Sequence, residues 1–386
     1  MKPLPPLDPA DLDHVVNATS GLWNELGGKR LYITGGTGFF GRWLLESFIA
    51  ANDRLCLDAR VTVLSRDPDA FEGKMPHVAG HKSVSLAAGD MCTCEMKGER
   101  FDYVIHAAVE PFLPSPSSLA PHPSSSDPLV LFEKNVAGTK NALALARCCG
   151  ARRFLLTSSG AVYGRQPADL THVPEDYPGA PDPLDPLTAY AQAKRASEFL
   201  CAGFGQKHGL EVVVARCFAF VGPHLPLDAN FAVGNFIRDA LAGGPIRVNG
   251  DGTPRRSYLY AADLAAWLWT VLVKGAAGRA YNVGSDADLP IRELADEVRK
   301  VVAPHAEVRV AKQPEPGKPA ERYVPDIARA RTELGLDVSI PLPEAIRRTA
   351  DWYSLTRDPG IKDSRIPVTR IIEPLNPGTL DPENPS

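Results

Sequence analysis

From residue 31 onward, short aliphatic and β-branched runs alternate with longer stretches of helical character. The runs are 31–33, 61–64, 84–86, 103–105, 154–156 and 212–214. Strands covered on both faces read as such brief apolar runs, and their alternation with helices predicts right-handed βαβ units in a parallel, doubly wound α/β sheet. After Arg216 the pattern changes. Helices are predicted over 231–241, 262–273 and 291–302, separated by short strands and turns such as Asn249-Gly250-Asp251-Gly252, which suggests a smaller α/β lobe packed on the first.

Residues 34–41 read Thr-Gly-Gly-Thr-Gly-Phe-Phe-Gly, directly after the first predicted strand and directly before a helical run. Glycines at 35, 38 and 41 let a strand turn tightly into a helix, bringing backbone N–H groups and the positive helix end against a pyrophosphate. This is a dinucleotide cradle. In a doubly wound sheet, ligands bind beyond the carboxyl ends of the strands, so the motifs that follow each strand gather at one crevice.

Tyr190 and Lys194 open another helical stretch, and their i, i+4 spacing puts phenol and ammonium on one helix face. A nearby cation favours phenolate and lowers a tyrosine pKa toward the range useful for a general base. Strand five ends in Thr157-Ser158-Ser159, which places hydroxyls where they can hydrogen-bond a substrate alcohol.

Taken together, these residues resemble the extended short-chain dehydrogenase/reductases, the NAD-dependent epimerase/dehydratase group acting on nucleotide sugars. The resemblance runs from about 29 to 354. It covers 34–41, Gly89-Asp90, His106-Ala107-Ala108, 135–139, 158–164, 190–194, 216–223, 250–263 and 326–334. It implies a Rossmann domain over 29–215 carrying the catalytic residues, a mainly substrate-binding lobe over 216–354 with some segments interleaved, an N-terminal extension over 1–28 and a proline-rich tail over 355–386. It implies Tyr190 as acid/base, Lys194 as the residue holding the nicotinamide ribose, and Ser159 as hydroxyl partner. Gly35, Thr37, Gly38, Phe39, Phe40, Gly41, Asp90, Met91, Ala107, Ala108 and Asn135 fall on its cofactor side. Asn235, Arg256 and Arg322 fall on its substrate side, the arginines toward a diphosphate. A homodimer built on helices of the first lobe is also implied.

Two readings refine the expectation. The second strand ends in Ser65-Arg66, where a unit binding NAD usually carries an acid for the ribose 2′-hydroxyl, so NADP is expected ahead of NAD. The family's sugar 4,6-dehydratases carry an Asp-Glu pair directly after the catalytic hydroxyl residue, where this chain has Gly160 and Ala161. Neither can move a proton, so 4,6-dehydration is disfavoured and an epimerase is expected. The alternatives are an NADPH-dependent reductase of a keto-deoxy nucleotide sugar, a decarboxylase, and an NADP-binding sensor without catalysis. Ala219 stands where the family has a phosphate-contacting asparagine, which puts the usual sugar-phosphate pose in question.

Composition narrows the classes further. With 386 residues, 44% of them apolar, the chain can bury a large core, and a net charge of −4 without any basic block argues against nucleic-acid partners. No apolar run approaches the ~20 residues needed to cross a bilayer, and the start lacks a secretory apolar segment, so a cytoplasmic protein is expected. The seven scattered cysteines lack zinc-like spacing, and no metal is expected. Residues 111–128, rich in proline and serine, read as a long loop overhanging the crevice.

Overall fold

A computed structural model describes residues 3–110, 127–229 and 231–356. Most of the 111–128 loop and of the 355–386 tail therefore lies outside the described residues.

Six strands follow the sequence pattern: β1 (Arg30–Thr34), β2 (Arg60–Ser65), β3 (Val84–Ala88), β4 (Tyr103–His106), β5 (Arg153–Ser159) and β6 (Glu211–Cys217). All pair in parallel, and a seventh strand, Arg279–Val283, joins beyond β6. The order is that strand, then β6, β5, β4, β1, β2 and β3. The chain reverses direction across the sheet between β1 and β4, which opens a crevice at the strands' carboxyl ends. β5 is buried at every position, as a central strand covered on both faces must be. The expected doubly wound α/β sheet is borne out.

Two helices cover one face beside the crevice, Pro128–Cys148 and Ala189–His208. The first starts at an Asp127 side chain that accepts from the Leu129 N–H, with Pro128 at its first position. The second ends at Gly209, whose φ of +69° closes the helix in a left-handed turn that a side chain would strain. The other face carries Phe39–Leu55 and Ala261–Lys274, the latter buried along almost its whole length.

Residues that precede β1 are part of the core. Helix Pro9–Ala18 and the 3₁₀ turn Trp23–Leu26 bury Val15, Leu22, Trp23 and Leu26, and the Trp23 ring lies 5.3 Å from that of Trp269. Asp11, 1% exposed, accepts hydrogen bonds from the Tyr260 hydroxyl and the Arg348 guanidinium, each at 2.6 Å. Asp263 accepts from the Ser339 and Ile340 N–H groups, both at 3.0 Å, and meets His14 at 2.7 Å. Asp11 thus ties the N-terminal helix to the last described helix, Leu342–Thr356, and Asp263 ties it to residues 339–340 just before that helix. Asp11→Ala leaves two polar groups without their acceptor, and the expected loss is about 3 kcal/mol. Urea denaturation measures it, and a midpoint that does not move would show that the N-terminal segment is not stitched on through this carboxylate.

Candidate active site

The glycine loop is shaped by steric exclusion. Gly35 has φ +76°, and a Cβ there would lie 2.5 Å from the backbone of Ala107 and Ala108; a Cβ on Gly41 would strike the Gly36 backbone. Both positions therefore require glycine. Gly38 caps helix Phe39–Leu55 with no side chain of its own, which leaves the helix start free to meet an anion. Arg42 donates to the Thr37 carbonyl at 3.0 Å and fixes the loop from below, while Phe40 packs edge-on against Phe220 at 5.2 Å. An uncapped helix start behind glycines with no room for side chains fits a dinucleotide pyrophosphate.

The remaining expected cofactor residues surround this loop with varied engagements. Asp90 is exposed, and its carboxylate accepts from the Cys92 N–H at 2.9 Å in a turn. Met91 packs on Gly138, where a Cβ would lie 2.9 Å from its Sδ. Asn135 is buried and bridges residue 110 in both directions, accepting from the Glu110 N–H at 3.1 Å and donating to its carbonyl at 3.2 Å. Ser65, buried at the end of β2, accepts from the Asp67 N–H at 3.2 Å. Arg66 reaches across to Glu110 at 3.6 Å, and Lys134 meets the other oxygen of the same carboxylate at 3.3 Å. Glu110 thus faces two cations, a pairing the sequence did not disclose.

At the end of β5 the catalytic candidates come together. Ser159 is buried, Lys194 is 5% exposed and Tyr190 is half-buried, its phenol close enough to Ser159 to feel that hydroxyl. The Lys194 ammonium donates to the Thr157 carbonyl at 2.8 Å and stands 5.8 Å from the centre of the Tyr190 ring. Burial pulls the Lys194 titration from 10.5 down to about 8. Burial also pushes the Tyr190 phenol upward, with Tyr323 adding to the rise and the Ser159 hydrogen bond opposing it. The lowering expected from the lysine is outweighed here: loss of hydration dominates, and the ammonium is directed at a carbonyl.

His106 does no proton work. Its Nδ1 meets the Thr34 hydroxyl at 2.7 Å and its Nε2 the Thr139 hydroxyl at 3.2 Å, and burial drives its pKa from 6.5 down to about 3. It is a neutral bridge between β1 and helix Pro128–Cys148.

Helix Ala189–His208 is fixed by a second polar layer. Glu198, one turn beyond Lys194, accepts from Ser158 at 2.6 Å and from the Arg216 guanidinium at 2.8 and 3.1 Å. Arg216 also donates to the Tyr163 hydroxyl at 2.9 Å, which donates to Asn282 at 2.7 Å. This chain of bonds ties helix Ala189–His208 to β5, β6 and the seventh strand.

The substrate-side expectations are brought together only in part. Strand Arg255–Ser257 pairs in parallel with Arg322–Tyr323, so Arg256 matches Tyr323 and Arg255 matches Arg322. Side chains alternate along a strand. Arg256, half-buried, lies 5.9 Å from the Tyr323 ring centre, whereas Arg322 turns with Arg255 to Asp288, which Arg322 meets at 3.0 Å. The two expected diphosphate arginines therefore occupy opposite faces. Asn235 donates to the Ala229 carbonyl at 3.0 Å and accepts from Arg238 at 3.0 Å, shaping the preceding loop. Tyr323 went unnoticed in the sequence. Its hydroxyl lies 3.4 Å from Ser159 Oγ and its ring 4.7 Å from that of Phe218. Its only local signal was its place beside Arg322.

Residues 31–284 match the NAD dependent epimerase/dehydratase family. The chain is 31% identical over 327 residues to UDP-glucuronic acid decarboxylase 1 of Danio rerio, covering 84% of this chain and 73% of that protein. It is 32% identical over 321 residues to UDP-glucuronic acid decarboxylase 3 of Arabidopsis thaliana, covering 82% and 86%. Among solved structures, a dTDP-glucose 4,6-dehydratase of Streptomyces venezuelae with NAD bound superposes with a TM-score of 0.69 at 25% identity, covering 85% of this chain and 98% of that one. An epimerase of Methanothermobacter thermautotrophicus, at a TM-score of 0.70 and 23% identity over 88% and 96%, shares the fold. With its seven-stranded parallel sheet and glycine cradle, the chain belongs to the NAD-dependent epimerase/dehydratase family.

Proposed function

We propose that this chain converts a nucleotide-diphosphate uronic acid by oxidising a ring alcohol, releasing the carboxyl group as CO₂ and returning the hydrogen to the ring. The observation that carries the reading is the cluster of Ser159, Tyr190 and Lys194 at the carboxyl end of β5. The UDP-glucuronic acid decarboxylases, at 31–32% identity over four fifths of the chain, support the substrate class.

NAD(P), when bound along the glycine loop, supplies the acceptor and later the donor of the carbon-bound hydrogen. Ser159 holds the substrate oxygen, and Tyr190 Oη, in its phenolate form, takes the proton as the alcohol becomes a ketone. Lys194, 5.8 Å from the centre of the phenol ring, opposes without overcoming the rise that burial imposes, and its bond to the Thr157 carbonyl fixes the helix that carries Tyr190. A carboxylate on the neighbouring ring carbon then stands β to the carbonyl, and a β-keto acid loses CO₂ without a base. The lack of a proton-moving side chain at Gly160 and Ala161 obstructs dehydration but not this route.

A second reading is epimerisation of a neutral nucleotide sugar, favoured by the turn Ser158-Ser159-Gly160-Ala161-Val162-Tyr163-Gly164. A reductase would instead consume NADPH stoichiometrically. Ser65 and Arg66 support a preference for NADP, because neither repels a 2′-phosphate and the exposed guanidinium can bind one. A homodimer through the first lobe is supported by Phe199, 78% exposed on helix Ala189–His208.

Incubation with UDP-glucuronate and NAD or NADP is expected to release CO₂ and yield a nucleotide pentose by mass spectrometry, while Tyr190→Phe lowers the rate by about 10²–10⁴-fold. A product of unchanged mass would support the epimerase, and net loss of NADPH absorbance the reductase. For the cofactor, Arg66→Ala is expected to weaken NADP about 10-fold while leaving NAD unchanged, measured by fluorescence titration; equal losses for both would remove the 2′-phosphate argument. For Lys194, the folded-state pKa lies below the unfolded value, so the folded protein bears the full cost of the buried charge below about pH 8 and sheds it as pH rises toward 10.5. That cost is about 3 kcal/mol, less about 1 for the hydrogen bond to Thr157. Lys194→Met is therefore expected to abolish turnover yet raise the melting temperature at pH 7, with the gain shrinking toward pH 10. A variant less stable than the parent at pH 7 would contradict this.

A further inference from the structure

We propose that Tyr323 is a second catalytic phenol, the acid that protonates the ring carbon after the carboxyl group has left. The inference rests on the decarboxylation reading above and deepens it.

The turn after β5 lacks a side chain that could protonate carbon. Loss of CO₂ breaks a carbon–carbon bond and leaves its electron pair on the ring as an enolate, which must gain a proton on carbon before the hydrogen can return to the carbonyl. Gly160 and Ala161 offer none. Tyr190 is committed to the alcohol oxygen, and His106 is enclosed between two threonine hydroxyls.

Tyr323 occupies the space that a side chain at 160 would use. A Cβ built on Gly160 would lie 2.8 Å from the Tyr323 hydroxyl and 2.7 Å from the Phe218 ring. The glycine and the tyrosine are thus complementary: the second lobe delivers a hydroxyl where the turn has given up its own side chain. That hydroxyl is 3.4 Å from Ser159 Oγ and 3.5 Å from the Cys217 carbonyl, so Ser159 stands between the Tyr190 and Tyr323 phenols. Phe218 at 4.7 Å and the Arg256 guanidinium at 5.9 Å hold the ring from its faces.

The protonation state suits a donor. Burial raises the Tyr323 phenol from 10 to about 12, with the Ser159 hydrogen bond and Arg256 opposing the rise. It keeps its proton at neutral pH, and an enolate carbon is far more basic than a phenolate, so transfer runs downhill. The Tyr323 O–H bond breaks, the ring C–H bond forms, the enolate becomes a ketone again, and the phenolate recovers a proton from water.

The test uses Tyr323→Phe in the full chain, which keeps the ring packing and removes only the hydroxyl. In D₂O with UDP-glucuronate, the parent is expected to place one deuteron at the decarboxylated carbon in a single configuration. The variant is expected to reduce cofactor and release CO₂ in a first turnover, to accumulate NAD(P)H absorbance, to turn over at least 30-fold more slowly and to scramble the deuteron's configuration. A fluorinated tyrosine at 323 provides a second variant of unchanged shape, and its more acidic phenol is expected to move the alkaline limb of turnover to lower pH. Retention of turnover within threefold and of the deuteron's configuration would overturn the proposal. So would loss of the first cofactor reduction in step with turnover, which would give Tyr323 a positioning role on Ser159, and so would an unmoved alkaline limb. A parent protein that releases no CO₂ would overturn the decarboxylation reading and this one together, by a result separate from any variant's.

Discussion

Lys194 is an ammonium in a place where an ammonium is costly, and the arrangement of the crevice follows from how that charge is held. It donates a hydrogen bond to the carbonyl of Thr157, two residues before Ser159. That carbonyl belongs to a central strand and cannot move without its neighbours, so the bond sets helix Ala189–His208 at a fixed height over β5. Glu198 repeats the attachment one turn later through Ser158 and Arg216, and Ser197 meets Thr139 at 2.8 Å, linking the helix to His106 and β4. Tyr190, one turn before Lys194, inherits its place from these anchors.

The same economy of side chains governs the cofactor side. The loop after β1 excludes Cβ atoms at 35 and 41, so its recognition surface is backbone, and the charged groups are displaced to the rim. There Glu110 sits between Arg66 and Lys134, with Asn135 fixing its backbone. An anion entering beside Arg66 competes with Glu110 for that guanidinium. For the proposed NADP preference to hold, a 2′-phosphate must offer Arg66 more than Glu110 does, a condition that the motif alone does not state.

The sheet was legible because its strands are covered on both faces, so burial wrote itself into short runs of aliphatic and β-branched residues at 61–64 and 154–156. Tyr190, Lys194 and the glycines were legible because their chemistry depends on spacing along one element. Other parts were not. Helix Pro9–Ala18 follows a proline-rich start and is secured by Asp11 and His14 contacting residues far along the chain. The seventh strand, Arg279–Val283, begins with an exposed arginine and lacks an aliphatic run. The separation of Arg256 from Arg322 depends on strand register across more than sixty residues of sequence, which alternation within either segment leaves undetermined. Tyr323 is the sharpest case, since a two-residue strand has no periodicity to read.

The position of Tyr323 also bears on how the two lobes share chemistry. The other candidates for catalysis, from Ser159 to Lys194, hang on β5 or on the helix pinned to it. Tyr323 enters from a small sheet, Asp288–Pro290 beside Arg255–Ser257 beside Arg322–Tyr323, whose register is secured by Arg255 and Arg322 closing on Asp288. That ion-paired face is the counterpart of the Arg256–Tyr323 face: because the charges on one side fix the register, the phenol on the other side arrives at Ser159 and not a residue short of it. A one-residue slip would turn Tyr323 away from the crevice and bring Arg322 in, since alternate residues face opposite ways. On this view Asp288 and Arg322 help fix the strand register that presents Tyr323 to the crevice.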